Sequence, residues 1–90
     1  MMFRVRWRKR ALDRLTALWT QADSATRKAL THASDAIDRQ LAEDPYAQSE
    51  SRPKGRRIAF DWPLAAYFRV EADGRTVTVL QVHTFRKHNG

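Results

Sequence analysis

Residues 75–88 read Arg-Thr-Val-Thr-Val-Leu-Gln-Val-His-Thr-Phe-Arg-Lys-His and form the most strand-like run of the chain. Apolar and β-branched residues occur on both sides of the pleat, and neither glycine nor proline interrupts them. This pattern predicts an interior strand of a small sheet. Groups that carry protons or bind phosphate follow at its end, namely His83, Arg86, Lys87 and His88. We therefore expect the functional groups to lie where this rigid strand ends.

Two shorter strands are predicted before it. Asp73-Gly74 predicts a two-residue hairpin turn, because glycine accepts the positive φ of a type I′ turn. Residues 64–71 alternate, and their inner side carries Leu64, Ala66, Phe68 and Val70. Residues 56–61 predict another strand, with Ile58 and Phe60 on one side and Arg57 and Ala59 on the other. Residues 45–55 are polar and without periodicity, so we expect a loop there.

The first half of the chain predicts one strand and two helices. Residues 2–7 alternate with a period of two. The stripe that follows has helical spacing and consists of Leu12, Leu15, Leu18 and Trp19. Asp23 or Ser24 can cap a second helix, which Asp44-Pro45 should end after Glu43.

The predicted fold is α+β with the order β-α-α-β-β-β. A two-helix hairpin would pack on one face of a mainly antiparallel four-stranded sheet, because this arrangement hides every apolar stripe. Strand parity then assigns a set of polar residues to the opposite face: Arg4, Arg6, Arg57, Tyr67, Arg69, Gln81 and His83. Arginine pairs with phosphate or stacks on a base, and aromatic rings also stack on bases. The sequence thus predicts an RNA-binding face.

Composition supports a small basic globule. Ninety residues, 42% of them hydrophobic and none a cysteine, predict one domain spanning residues 1–90. The first ten residues lack the apolar centre of a signal peptide, so we expect a soluble, cytoplasmic protein without a membrane partner. The net charge is +7, with residues 1–10 at +5, residues 11–50 at −3 and residues 51–90 at +5. The expected partner is a polyanion or an acidic protein segment.

The cluster after the last strand suggests a reaction. His83 and His88 can move protons near neutral pH, and Arg86 can stabilise charge on a phosphorane. RNA cleavage by 2′-hydroxyl attack needs these roles, and we expect no metal and no cofactor. A basic tail with two incidental histidines is the alternative.

In order and spacing the chain resembles the RelE/ParE superfamily of bacterial type II toxins. The features that carry the resemblance are Phe3-Arg4-Val5, Ala11 to Leu15, Leu41-x-x-Asp44-Pro45, the hairpin from Ala65 to Val70, and Val82 to Arg86. The resemblance implies a co-encoded antitoxin as partner. It also implies one of two targets, namely mRNA on the ribosome, which is cleaved, or DNA gyrase, which is poisoned without cleavage of RNA.

The resemblance also implies a set of site residues. The residues that correspond to catalytic positions are Arg57, Arg86, His83 and His88. The residues expected to bind nucleic acid are Arg4, Arg6, Lys54, Arg56, Tyr67, Arg69 and Lys87. Cleaving members usually carry an arginine three residues before an inward tyrosine, where this chain has Ala65 and Phe68. A ribosome-dependent nuclease, a gyrase-binding toxin and a non-catalytic nucleic-acid-binding relative therefore all remain open.

Overall fold

The computed structural model describes residues 2–86, and its elements form one mixed sheet with two helices. In chain order they are β1 (Arg4–Trp7), α1 (Lys9–Gln21), α2 (Ser24–Glu43), β2 (Ser49–Arg52), β3 (Arg56–Asp61), β4 (Leu64–Val70) and β5 (Thr76–Thr84). The strand order is β1-β5-β4-β3-β2. β1 runs parallel to β5, and the other pairs are antiparallel. The predicted α+β class and helix hairpin are confirmed.

Both helices pack on one face of the sheet. The helix residues of the core are Ala11, Leu30, Ala33, Ile37 and Leu41, and the sheet residues are Ala59, Leu64, Ala66, Phe68, Val77, Val79 and Val82. Asp23 caps α2, as predicted, because its carboxylate accepts a hydrogen bond of 2.8 Å from the Thr26 amide. Neither helix of the described residues is long and apolar enough to span a membrane. The sheet face away from α1 and α2, called the open face below, carries no helix of residues 2–86.

The sheet has five strands, and the prediction of four is wrong. The extra strand, β2, lies within the segment that was expected to be a loop, and it pairs with β3 at the sheet edge. Its sequence Ser-Glu-Ser-Arg contains no apolar residue, so no periodicity marks it. An edge strand needs only the backbone hydrogen bonds of its neighbour, and Lys54 and Gly55 close the hairpin with φ of 65° and 70°.

The β4–β5 connection is a hairpin, but its turn is longer than the two residues predicted. Gly74 has a φ of 69°, whereas Asp73 is not in the left-handed region. The Asp73 carboxylate instead accepts hydrogen bonds from the Arg75 and Thr76 amides at 2.8 and 2.9 Å. Those bonds favour a wider loop over a type I′ turn.

A bulge in β5 sets the orientation of its last residues. Tyr67 lies opposite Gln81 and Phe68 opposite Val79, so Leu80 is an extra residue. The Arg8 guanidinium donates a 2.9 Å hydrogen bond to the Leu80 carbonyl. Leu80 is buried but lies outside the core under the helices, which Val82 joins.

Candidate nucleic-acid interface

The strand register gathers most of the predicted side chains on the open face. Arg6 and Arg69 flank Thr78 in one row, since Thr78 is the partner of both. Arg4 is two residues before Arg6 on β1 and therefore shares its side of the sheet. Tyr67 pairs with Gln81, and His83 follows two residues later, so these three also point away from the core. Placement on the open face is thus confirmed for Arg4, Arg6, Tyr67, Arg69, Gln81 and His83.

Arg57 is the exception, and its predicted placement is wrong. It lies opposite Phe68, a core residue, and two residues before Ala59, another core residue. Its guanidinium donates hydrogen bonds of 2.7 and 3.0 Å to the hydroxyl and carbonyl of Ser49. The same group lies 5.2 Å from the ring centroid of Tyr46. Near the edge strand, an arginine on the helix side of the sheet still has polar partners. The charge of a residue therefore does not show there which face of the sheet the residue lies on.

The corrected parity of β3 places apolar residues on the open face. Phe60, Ala65 and His83 are consecutive partners across β3, β4 and β5. The Phe60 and Phe85 rings meet edge to face at 5.4 Å, and the Tyr67 and His83 rings are 5.5 Å apart. Together with Ile58, these residues form what we call the aromatic patch: Ile58, Phe60, Ala65, Tyr67, His83 and Phe85. Phe60 is 39% exposed, so its ring can receive a stacking partner.

A carboxylate organises the arginines at the other end of the open face. Glu71 accepts a hydrogen bond from the Thr78 hydroxyl and bonds of 3.1 and 3.2 Å from Arg69 Nε. The Thr78 hydrogen bond, followed by that of Arg69 and by the charges of Arg69 and Arg6, lowers the pKa of Glu71 below its ordinary value. Thr78 itself is buried beneath these side chains. Glu71 therefore holds Arg69 in place on this face and lies within the electrostatic influence of Arg6.

The remaining predicted residues lie at the rim of this face or beyond the described chain. Arg56 is exposed and points to the open side, two residues before Ile58. Lys54 is exposed in the β2–β3 turn, and Arg86 is exposed just after β5. Lys87 and His88 lie outside the described residues. The structure brings His83 close to Tyr67, and it separates Arg57 from both.

Sequence reasoning missed several residues that lie on the open face or beside it. Phe60 and Ile58 were placed inward, because apolar residues usually mark the buried side of a strand. The residue that indicates the opposite parity is Ala59, which is fully buried in the core under the helices. No alternation of apolar and polar residues around Phe85 assigned it to a face of the sheet. Arg10 and Arg14 border His83, yet in the sequence they are only the polar side of a helix.

Comparison with known proteins agrees with this architecture. No family model matches the chain, and no curated protein matches its sequence. Among solved structures, a chain of the RelBE2 toxin–antitoxin complex from Mycobacterium tuberculosis matches with a TM-score of 0.71 at 16% identity, over 94% of this chain and 100% of that one. A chain of the chromosomal ParDE toxin–antitoxin system from P. aeruginosa matches with a TM-score of 0.71 at 22% identity, over 94% and 98%.

A third match concerns a toxin without its partner. A mutant of the E. coli toxin RelE in its free state has a TM-score of 0.62 at 17% identity, over 93% of this chain and 84% of that one. At identities of 22% or less these likenesses show the fold. The chain has the RelE/ParE toxin fold, so the resemblance inferred from its sequence is confirmed at that level.

Proposed function

We propose that this protein is the toxin of a type II toxin–antitoxin pair. It binds mRNA on the ribosome through its open face and cleaves the mRNA there. One observation carries the proposal: arginines and the aromatic patch share a sheet face that α1 and α2 leave uncovered. Within the five strands this face holds five arginines and one glutamate, namely Arg4, Arg6, Arg52, Arg56 and Arg69 against Glu50, and Glu71 follows directly after β4. A positive surface with stacking rings suits single-stranded RNA.

The proposed reaction is attack of a ribose 2′-hydroxyl on the adjacent phosphate. His83 takes the hydroxyl proton, and Arg86 neutralises charge that develops on the phosphate oxygens. Tyr67 holds the His83 ring from one side, which limits its orientations. His88 is proposed to return a proton to the leaving 5′-oxygen. The phosphate migrates from the 5′-oxygen to the 2′-oxygen, so no bond to the protein forms.

The proposed protein partner is a co-encoded antitoxin. The toxin carries a net charge of +7, and a partner that silences it should bring acidic side chains to the open face. Two of the structural neighbours are themselves toxin–antitoxin complexes. A short reading frame beside this one, encoding an acidic tail, is the expected genetic context.

Induction of the chain in bacteria, followed by mapping of mRNA ends, tests the proposal. We expect growth arrest together with new 5′ ends inside coding sequences, and relief of both by the neighbouring gene. Arg39→Ala is a matched control, because Arg39 is exposed on α2 and lies away from the open face. Growth arrest with intact messages would contradict cleavage, and the absence of any growth effect would contradict toxicity.

Gyrase binding without RNA cleavage is the second candidate, and three observations favour it. Ala65 stands where cleaving toxins usually carry an arginine, and it is fully buried. Arg57, the other expected phosphate-binding group of β3, is bonded to Ser49. A structural neighbour at 22% identity comes from a ParDE system. An induced DNA-damage response with unaltered mRNA would favour this candidate.

A further inference from the structure

The second half of β5 lies at an edge of the sheet. β1 pairs only with residues Thr76 to Val79 of β5. Beyond Val79, the edge borders α1, where a depression is lined by Arg10, Arg14, Gln81, Val82 and His83. This depression joins the helix layer to the aromatic patch through His83.

The two arginines of this depression, Arg10 and Arg14, both lie on α1. Within residues 2–86, neither guanidinium makes a hydrogen bond or an ion pair. Their neighbours differ, since Arg8 is bonded to the Leu80 carbonyl and Lys9 forms a 2.8 Å ion pair with Asp13. Arg10 and Arg14 are four residues apart on α1, so the two like charges face the same side and repel each other. A bound anion would relieve that repulsion.

We propose that Arg10, Arg14 and His83 form a binding site for a phosphodiester of single-stranded RNA. This inference rests on the proposed function and adds the groups that hold the phosphate. The register places Ala65 directly opposite His83. Charge that β4 does not supply at Ala65 would then come from α1, which borders the opposite edge of β5. Each guanidinium can donate two parallel hydrogen bonds to phosphate oxygens.

A nucleotide fits this site better than a carboxylate of a protein partner. The phosphate would lie beside His83, and the attached base would lie over the aromatic patch that begins at Tyr67. The site thus offers separate partners for the two parts of a nucleotide. An acidic peptide would use the charge and leave the rings unused.

Nuclear magnetic resonance on the full chain tests the site with one defined ligand. The ligand is a 2′-O-methylated diadenosine monophosphate, which carries a single phosphodiester and cannot be cleaved. We expect shifts of the Arg10 and Arg14 Nε–H signals and of the His83 ring signals. Arg10→Gln or Arg14→Gln should weaken binding roughly tenfold, as expected when a charge-assisted hydrogen bond is lost. Arg39→Gln removes the same charge from α2 and should leave binding unchanged.

The possible outcomes separate this site from the proposed function. Equal binding by wild type and the Arg10→Gln/Arg14→Gln double variant would overturn the site, as would shifts confined to other residues. If the wild type also cleaves mRNA in cells, the toxin proposal survives that result. If the site binds the dinucleotide but induction leaves messages intact, the site stands and the cleavage proposal fails. Saturation of these signals by an acidic peptide but not by the dinucleotide would assign the site to a protein partner and overturn RNA binding there.

Discussion

Arg86 is exposed two residues after the end of β5, three residues beyond His83 and outside the core. Its removal should therefore affect function without affecting folding. We predict that Arg86→Ala abolishes growth arrest and lowers the rate of RNA cleavage by roughly two to three decades, the usual loss of one charge-stabilising contact. The thermal unfolding midpoint should stay within error of wild type. Growth assays and circular dichroism on the same variant measure both quantities, and full toxicity in Arg86→Ala would rule out its assigned role.

Glu71 should make the stability of the fold sensitive to acid. Its pKa is lowered in the folded protein, first by the Thr78 hydrogen bond and then by Arg69. The stabilisation is therefore fully present above the ordinary pKa of 4.5 and is lost as the pH falls through the folded pKa. Glu71→Gln keeps an acceptor for Thr78 but no titrating group. We predict that acidification from pH 6 to pH 3 lowers the urea midpoint of wild type more than that of Glu71→Gln.

Other acids do not confound that comparison. The pKa values of Asp23 and Asp73 are also lowered, by backbone hydrogen bonds from Thr26 and Arg75 respectively. Both groups are present in wild type and variant, so their contribution cancels in the difference. An identical loss of stability in the two proteins would show that the Glu71 carboxylate does not interact with Arg69 and Thr78 as described.

At the level of elements, the β2–β3 hairpin depends on Arg57. Its guanidinium joins the two strands through Ser49 and covers Tyr46. We predict that Arg57→Ala lowers the free energy of unfolding by about 1–2 kcal/mol, as expected for loss of two side-chain hydrogen bonds. RNA binding should change little, because the side chain lies on the helix side. Urea unfolding and RNA titration check the two parts, and a large loss of RNA binding in Arg57→Ala would contradict the placement.

The aromatic patch provides a second prediction at the level of elements. Phe60→Leu keeps an apolar side chain on the open face but removes the ring on which a base can stack. We expect weaker binding of a single-stranded oligoribonucleotide by about 1–3 kcal/mol, the usual value of one base–aromatic stack. Trp19→Leu is the matched control, since Trp19 is 43% exposed on α1 and Phe60 is 39% exposed. Equal effects of the two substitutions in fluorescence anisotropy would argue against stacking on the patch.

The elements also show which parts of the fold can be predicted from sequence patterns. α2 and β4 were predictable because their apolar residues recur with one clear period and pack in the core between helices and sheet. The predicted stripe of α1 was only partly right, since Leu15 and Leu18 pack against the core, whereas Leu12 and Trp19 are 47% and 43% exposed. β2 was not, since hydrogen bonds of a neighbouring strand define it and its side chains carry no signal. The pattern of β3 indicated the wrong face because its apolar residues Ile58 and Phe60 lie beside cross-strand neighbours on the open face, while Ala59 lies in the core under the helices. Only the register across strands resolves such a case.

For the whole molecule, the sequence predicted the position of the charged surface well. It predicted less well which charged side chains on that surface can bind a ligand. The sheet order brings Arg4, Arg6 and Arg69 together although they are far apart in the chain. Strand parity captured that grouping. It did not predict that Arg57 is hydrogen-bonded to Ser49, or that Arg10 and Arg14 line a depression with His83. Both facts depend on how α1 and β2 pack at the sheet edges. Contacts between elements that follow no repeat cannot be read from periodicity.

Ultraviolet cross-linking of the induced protein to cellular RNA, with the linked residues identified by mass spectrometry, tests the central claim most directly. Aromatic residues form the cross-links where RNA contacts them. Exposed aromatic residues lie both on the open face and outside it. We predict cross-links at Phe60, Tyr67 and Phe85 on the open face. Trp19 and Tyr46, which are 43% and 52% exposed, serve as internal controls outside that face. Cross-links confined to Trp19 and Tyr46, or none at any aromatic residue, would contradict RNA binding by the open face.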